Sequence, residues 1–72
     1  MDIRKQVGLN VQRLRRAKSL SQEELAFETG LHRTYISGVE RGIRNPTVMV
    51  LARIAKAVNA TPDQLLRTTK DS

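Results

Sequence analysis

Arg33, Thr34 and Ser37 stand in a segment whose apolar residues are Ile36 and Val39. On a 3.6-residue wheel with Ile36 and Val39 turned inward, Arg33, Thr34, Ser37 and Gly38 fall toward the opposite side, with Tyr35 at a flank. The chemistry of such a face is hydrogen bonding to a ligand edge. The planar fork of Arg33 suits the paired acceptors O6 and N7 of guanine, a contact worth about 1–3 kcal/mol of discrimination. Thr34 offers a methyl to thymine and a hydroxyl to a base or phosphate, and Ser37 offers a hydroxyl. Arg41, Arg44 and Asn45 follow directly. They are expected to meet a sugar-phosphate backbone, or, for Arg44, a narrowed minor groove.

Composition agrees with an anionic partner. The 72 residues hold 13 Lys+Arg against 7 Asp+Glu, a formal charge of +6, which favours a polyanion or an anionic membrane surface. There is no cysteine and a single histidine, His32, so neither a disulfide nor a zinc site is expected, and no cofactor. No nucleophile, base and orienting group fall together, so the chain does not read as an enzyme. No apolar run approaches the roughly 20 residues of a membrane span, and no signal-peptide core follows Met1-Asp2-Ile3-Arg4-Lys5. No helix sets a broad apolar face against lysines as a membrane-surface binder would. The expectation is a soluble, cytoplasmic protein of one domain, residues 1–72.

Five short helices must position these residues. Ile3, Val7, Val11 and Leu14 recur at spacings of three and four, predicting an amphipathic first helix over 2–18 with Leu9 off the stripe. Ser21-Gln22-Glu23-Glu24 is a capping box that starts a second helix, carrying Leu25 and Ala26 inward and stopping at Gly30. Phe27 is expected to be partly buried. A third helix over 32–41, with His32 a poor N-cap, stops at Gly42. Asn45-Pro46 breaks the chain, and Thr47 caps a fourth helix bearing Val48, Leu51, Ile54, Ala55 and Val58. Thr61-Pro62-Asp63-Gln64 starts a fifth with Leu65 and Leu66. Residues 67–72 form a polar tail, and nothing alternates as a strand would.

Residues 22–41 therefore hold two short helices joined by a tight turn. Ala26 is small where the next helix crosses, Gly30 turns the chain, and Ile36 and Val39 lock the pair. Those demands describe a helix-turn-helix, whose second helix enters the major groove. Gly38 is either a point of close approach to DNA or a tolerated mid-helix glycine.

Leu25-Ala26, Gly30-Leu31, Ile36, Val39-Glu40-Arg41-Gly42 and Arg44-Asn45-Pro46 together resemble the lambda-repressor-like, XRE-type helix-turn-helix regulators. The resemblance runs from Val7 to about Leu66. Within that family, Arg33-Thr34-Tyr35-Ile36-Ser37 and Arg44-Asn45 look most like restriction-modification controller proteins, which suggests a stand-alone regulator without a ligand-sensing or self-cleaving domain. The resemblance implies an all-α, compact five-helix DNA-binding domain and a structural ion pair between Arg15 and Glu40. It also implies a DNA-backbone contact by Gln22, at the first position of the second helix, where free N–H groups attract phosphate. Tyr35 is expected to pack its ring on the domain and donate its hydroxyl to phosphate.

Val48-Met49-Val50-Leu51 places four apolar residues in a row on one helix, more than one core-facing stripe holds. The surplus suggests a partner surface, and family members dimerise through helices near this end. A homodimer using Met49, Val50, Leu65 and Leu66 is expected, unless the two leucines close the monomer core. The functional expectation is a sequence-specific transcription regulator that binds double-stranded DNA at a pseudo-palindromic operator and blocks or recruits RNA polymerase. The alternative is an antitoxin-like protein-interaction module, which would expose apolar residues where Arg33, Thr34 and Ser37 stand.

Overall fold

Asp2 accepts the Arg4 backbone N–H on Oδ1 at 3.0 Å and so starts α1, Ile3–Ala17, in the computed structural model of the chain, which describes residues 2–68. Then come α2, Gln22–Thr29; α3, Arg33–Glu40; α4, Val48–Ala57; and α5, Pro62–Leu66. The described residues contain helices and no strand. The polar segment expected at 67–72 is represented by exposed, non-helical Arg67 and Thr68; its remainder lies outside the described residues.

The helix starts follow the capping residues. Ser21 Oγ accepts the Glu24 N–H at 3.0 Å while Glu24 Oε1 accepts the Ser21 N–H at 2.7 Å, satisfying two donors that a bare helix start leaves open. Thr47 Oγ1 accepts the Val50 N–H at 3.2 Å, and Gln64 Oε1 accepts the Thr61 N–H at 2.8 Å.

The first four helices end in one way, on a left-handed residue: Ser19, Gly30, Gly42 and Asn59, with φ of 58°, 73°, 79° and 59°. After α2, Leu31 N–H reaches back to the Ala26 carbonyl at 3.0 Å and Gly30 N–H to that of Phe27 at 3.3 Å. After α3, Ile43 reaches Gly38 and Gly42 reaches Val39, each at 3.0 Å. This is the Schellman closure, which satisfies the last carbonyls and turns the chain abruptly. It lets α2 and α3 be only eight residues each and still end cleanly.

One core joins all five helices: Val7 and Val11, Leu25 and Ala26, Ile36 and Val39, Leu51, Ile54 and Ala55, Val58 after α4, and Leu65. Helix α1 packs on α3 and α5, α2 on α3 and α4, and α4 on α5. Three expectations of burial need correction. Ile3 is 48% exposed and Val48 77% exposed; each begins its helix, where the stripe runs past the edge of the core. Phe27 is 87% exposed, because Leu25, Ala26 and Thr29 occupy the inward face of α2.

Candidate nucleic-acid interface

The helix-turn-helix is braced from α1. Arg15 gives two hydrogen bonds to the Glu40 carboxylate, Nε to Oε2 at 2.6 Å and a terminal nitrogen to Oε1 at 3.0 Å, and a third to the Leu20 carbonyl at 2.7 Å. Gln22 Nε2 adds another to Glu40 Oε1 at 3.0 Å. Both charged groups are buried, and the hydrogen bonds to Glu40 hold the Arg15 guanidinium still further toward its charged form. The pair joins α1 to the end of α3, and Gln22 brings in the start of α2. Among the described residues no buried side-chain nitrogen or oxygen lacks a partner.

Two features of this brace escape a reading of residue types. A Cβ at Gly8 would stand 2.5 Å from the Val39 carbonyl oxygen and 2.6 Å from that of Glu40, so α1 crosses the end of α3 at backbone contact. Gln12 Nε2 donates to the Glu40 carbonyl at 3.3 Å. The signal for both was position: Gly8 and Gln12 lie four apart, beside the apolar stripe.

Held in this way, α3 turns its first turn outward. Arg33 and Thr34 are exposed and Ser37 is half-buried. His32 makes no side-chain bond to the start of α3, so no N-cap side chain closes the donors of that turn. Arg33 and Gln22, expected to serve base and backbone, line one shallow depression with Arg15, Ser21 and Glu23. The starts of α2 and α3 are thus side by side. Arg41, Arg44 and Asn45 are exposed beyond the end of α3.

Gly38 offers no free surface. It is buried, and the space of its missing Cβ is taken by Arg44, whose Cγ would lie 2.6 Å away. The Arg44 guanidinium stands over the half-buried Tyr35 ring, 5.8 Å from its centroid.

The apolar surface also sorts itself. Met49 is 76% exposed and Leu66 44%, with Val50 half-buried, whereas Leu65 is fully buried. Leu65 therefore belongs to the monomer core and not to a dimer face, because α5 is anchored with that side down. The anchor is Asn10, buried on α1, whose Nδ2 donates to the Leu65 carbonyl at 2.7 Å and to that of Arg67 at 2.9 Å. Its Oδ1 accepts from Arg13 at 3.2 Å. Asn10 lies three residues after Val7 on the apolar stripe, the signal by which it could have been found.

Five helices around one core, with a braced α2–α3 pair and a polar free face on α3, define a helix-turn-helix domain. The helix-turn-helix family model matches residues 11–65, and the chain belongs to that family. It is similar to the control protein C.BamHI of Bacillus amyloliquefaciens, 48% identical over 69 residues that cover 94% of this chain and 85% of that protein. It is also similar to the uncharacterized HTH-type transcriptional regulator y4dJ of Sinorhizobium fredii, 44% identical over 72 residues, 100% of this chain and 94% of that one. The crystal structure of the restriction-modification controller protein C.AhdI from Aeromonas hydrophila matches with a TM-score of 0.83 at 44% identity, over 86% of this chain and 94% of that chain.

Proposed function

We propose that this protein is a sequence-specific transcription regulator of the restriction-modification controller type, acting in the cytoplasm on double-stranded DNA. The observation that carries the reading is the exposed, polar first turn of α3, held beside the start of α2 by the Arg15–Glu40–Gln22 network. In this reading Arg33, Thr34 and Ser37 meet base edges in the major groove. Gln22, Tyr35, Arg41, Arg44 and Asn45 hold the sugar-phosphate backbone on either side. A protein-binding module would instead carry apolar residues on that face of α3.

The chain presents one helix for base reading, α3, whereas half-sites on one face of DNA lie roughly 34–36 Å apart. One copy therefore reads one half-site. Two copies paired through Met49, Val50 and Leu66 would read a pseudo-palindrome, and occupancy of that operator would block or recruit RNA polymerase. No described helix is long and apolar enough to cross a membrane.

Selection of bound fragments from random duplex DNA tests this directly. The expected product is a two-fold motif with half-site centres about 10 base pairs, or a multiple, apart. Absence of any enriched motif would overturn the reading and favour a protein partner.

A further inference from the structure

The place of Gly38 in α3 is unusual for a glycine. Helix propensity favours alanine at an interior position, and Gly38 has no positive φ that would demand glycine. What it provides is room. A Cβ there would stand 2.6 Å from Arg44 Cγ, 3.2 Å from Nε and 3.4 Å from Cδ, so the stem of Arg44 lies across α3 at this residue. Tyr35, three residues earlier on the same helix face, receives the guanidinium over its ring at 5.8 Å. The Schellman closure from Ile43 N–H to the Gly38 carbonyl brings Arg44 to this point, because it folds the chain back immediately before that residue.

We infer that Gly38 is a positioning residue: it seats Arg44 across α3 so that the guanidinium and the Tyr35 phenol meet the nucleic-acid backbone as one preset hydrogen-bonding unit. The inference rests on the DNA-binding reading above. Arg44 leaves a loop in which its long side chain would otherwise sample many rotamers. The seat removes much of that freedom before binding, which raises affinity without adding a contact. It also makes the contact directional, since the N–H donors of the fork lie in its own plane and the seat restricts where that plane stands.

Two measurements on the intact chain decide it. In the free protein, the Arg44 Cγ and Cδ protons should show an upfield ring-current shift from Tyr35 that disappears in Gly38→Ala. With the selected operator, Gly38→Ala should bind about tenfold more weakly while keeping or raising its thermal midpoint. In an Arg44→Ala background the same substitution should have no further effect. Arg44→Lys, an exposed change that does not threaten folding, should lose the shift and bind several-fold more weakly. An unaltered shift in Gly38→Ala, or an affinity loss that persists without Arg44, would overturn the inference. Equality of Arg44→Lys with the parent in both measurements would do so too. A parent protein that showed the ring-current shift yet enriched no DNA would instead overturn the DNA-binding reading.

Discussion

Arg15 and Glu40 form a buried, two-pronged ion pair that fastens the far half of α1 to the last residue of α3, with hydrogen bonds of 2.6 and 3.0 Å. Neither partner is free to solvate if the other is removed. Arg15→Met should therefore lower unfolding free energy by about 3–5 kcal/mol, the usual consequence of leaving one buried charge unpaired. Arg15→Met with Glu40→Met should lose less than the first substitution alone. Urea unfolding of the three proteins checks both statements, and a double variant weaker than the single would refute the second.

Gly8 makes an opposite prediction to its helix propensity. Alanine in a helix interior normally gains about 1 kcal/mol over glycine. Here the new methyl meets two backbone oxygens at 2.5 and 2.6 Å, and backbone, unlike a flexible side chain, does not move aside. Gly8→Ala should lower the melting temperature, with overpacking of about 1–3 kcal/mol outweighing the gain. A raised melting temperature would show that α1 and α3 separate freely.

Asn10 is expected to govern α5 in particular. Asn10→Ala removes both donors to the Leu65 and Arg67 carbonyls, at about 1–3 kcal/mol for each polar group left buried without a partner. Amide exchange should rise in α4 and α5, which pack on one another, before it rises in α2 and α3. Uniform acceleration throughout the chain would show that α5 has no separate opening.

Arg33 and Arg44 should separate by the kind of affinity they lose. Arg33→Ala is expected to forfeit about 1–3 kcal/mol of discrimination at one base position while leaving binding to random DNA nearly intact. Arg44→Ala should weaken binding to all sequences and reduce the slope of log affinity against log salt by about one. Titrations on operator and random duplex at several salt concentrations distinguish them; equal losses on both DNAs for Arg33→Ala would rule out base reading by that residue.

Met49→Ser combined with Leu66→Ser should shift sedimentation toward the monomer while leaving the helical circular dichroism unchanged, because both side chains are exposed. Leu65→Ser, by contrast, should unfold the domain. If the paired exposed substitutions leave the sedimentation profile as it was, the dimer face lies elsewhere.

The helix borders are legible in the sequence because each is encoded within a few residues: the Ser21–Glu24 box, Gly30, Gly42, Thr47, the Thr61–Gln64 pairing. The core-facing residues in the middle of each helix are legible for the same reason, through spacing. What spacing does not carry is contact across the chain. Gly8 and Gly38 look like tolerated helix glycines until the backbone of α3 and the stem of Arg44 arrive beside them. Asn10 looks like a polar residue on an apolar stripe until the end of α5 is laid over it. Ile3 and Val48 fail in the reverse sense, since periodicity marks a face without saying how far the core extends beneath it, and Phe27 lies off the inward face of α2. Of the candidate site, the exposure of Arg33 and Thr34 is readable from the wheel, whereas the burial of Gly38 beneath Arg44 is not.

Helix α1 touches both ends of the proposed machinery. Through Gly8, Gln12 and Arg15 it grips α3, and through Asn10 it grips α5, the helix that carries the exposed Leu66. These four residues fall within about 10 Å of one helix, so a single short rod fixes α3 and α5 relative to one another. A molecule built in this way does not stretch to suit its target. If two copies pair as proposed, an operator with one base pair inserted between its half-sites would have to twist or bend to fit, and spacer length would become part of the address.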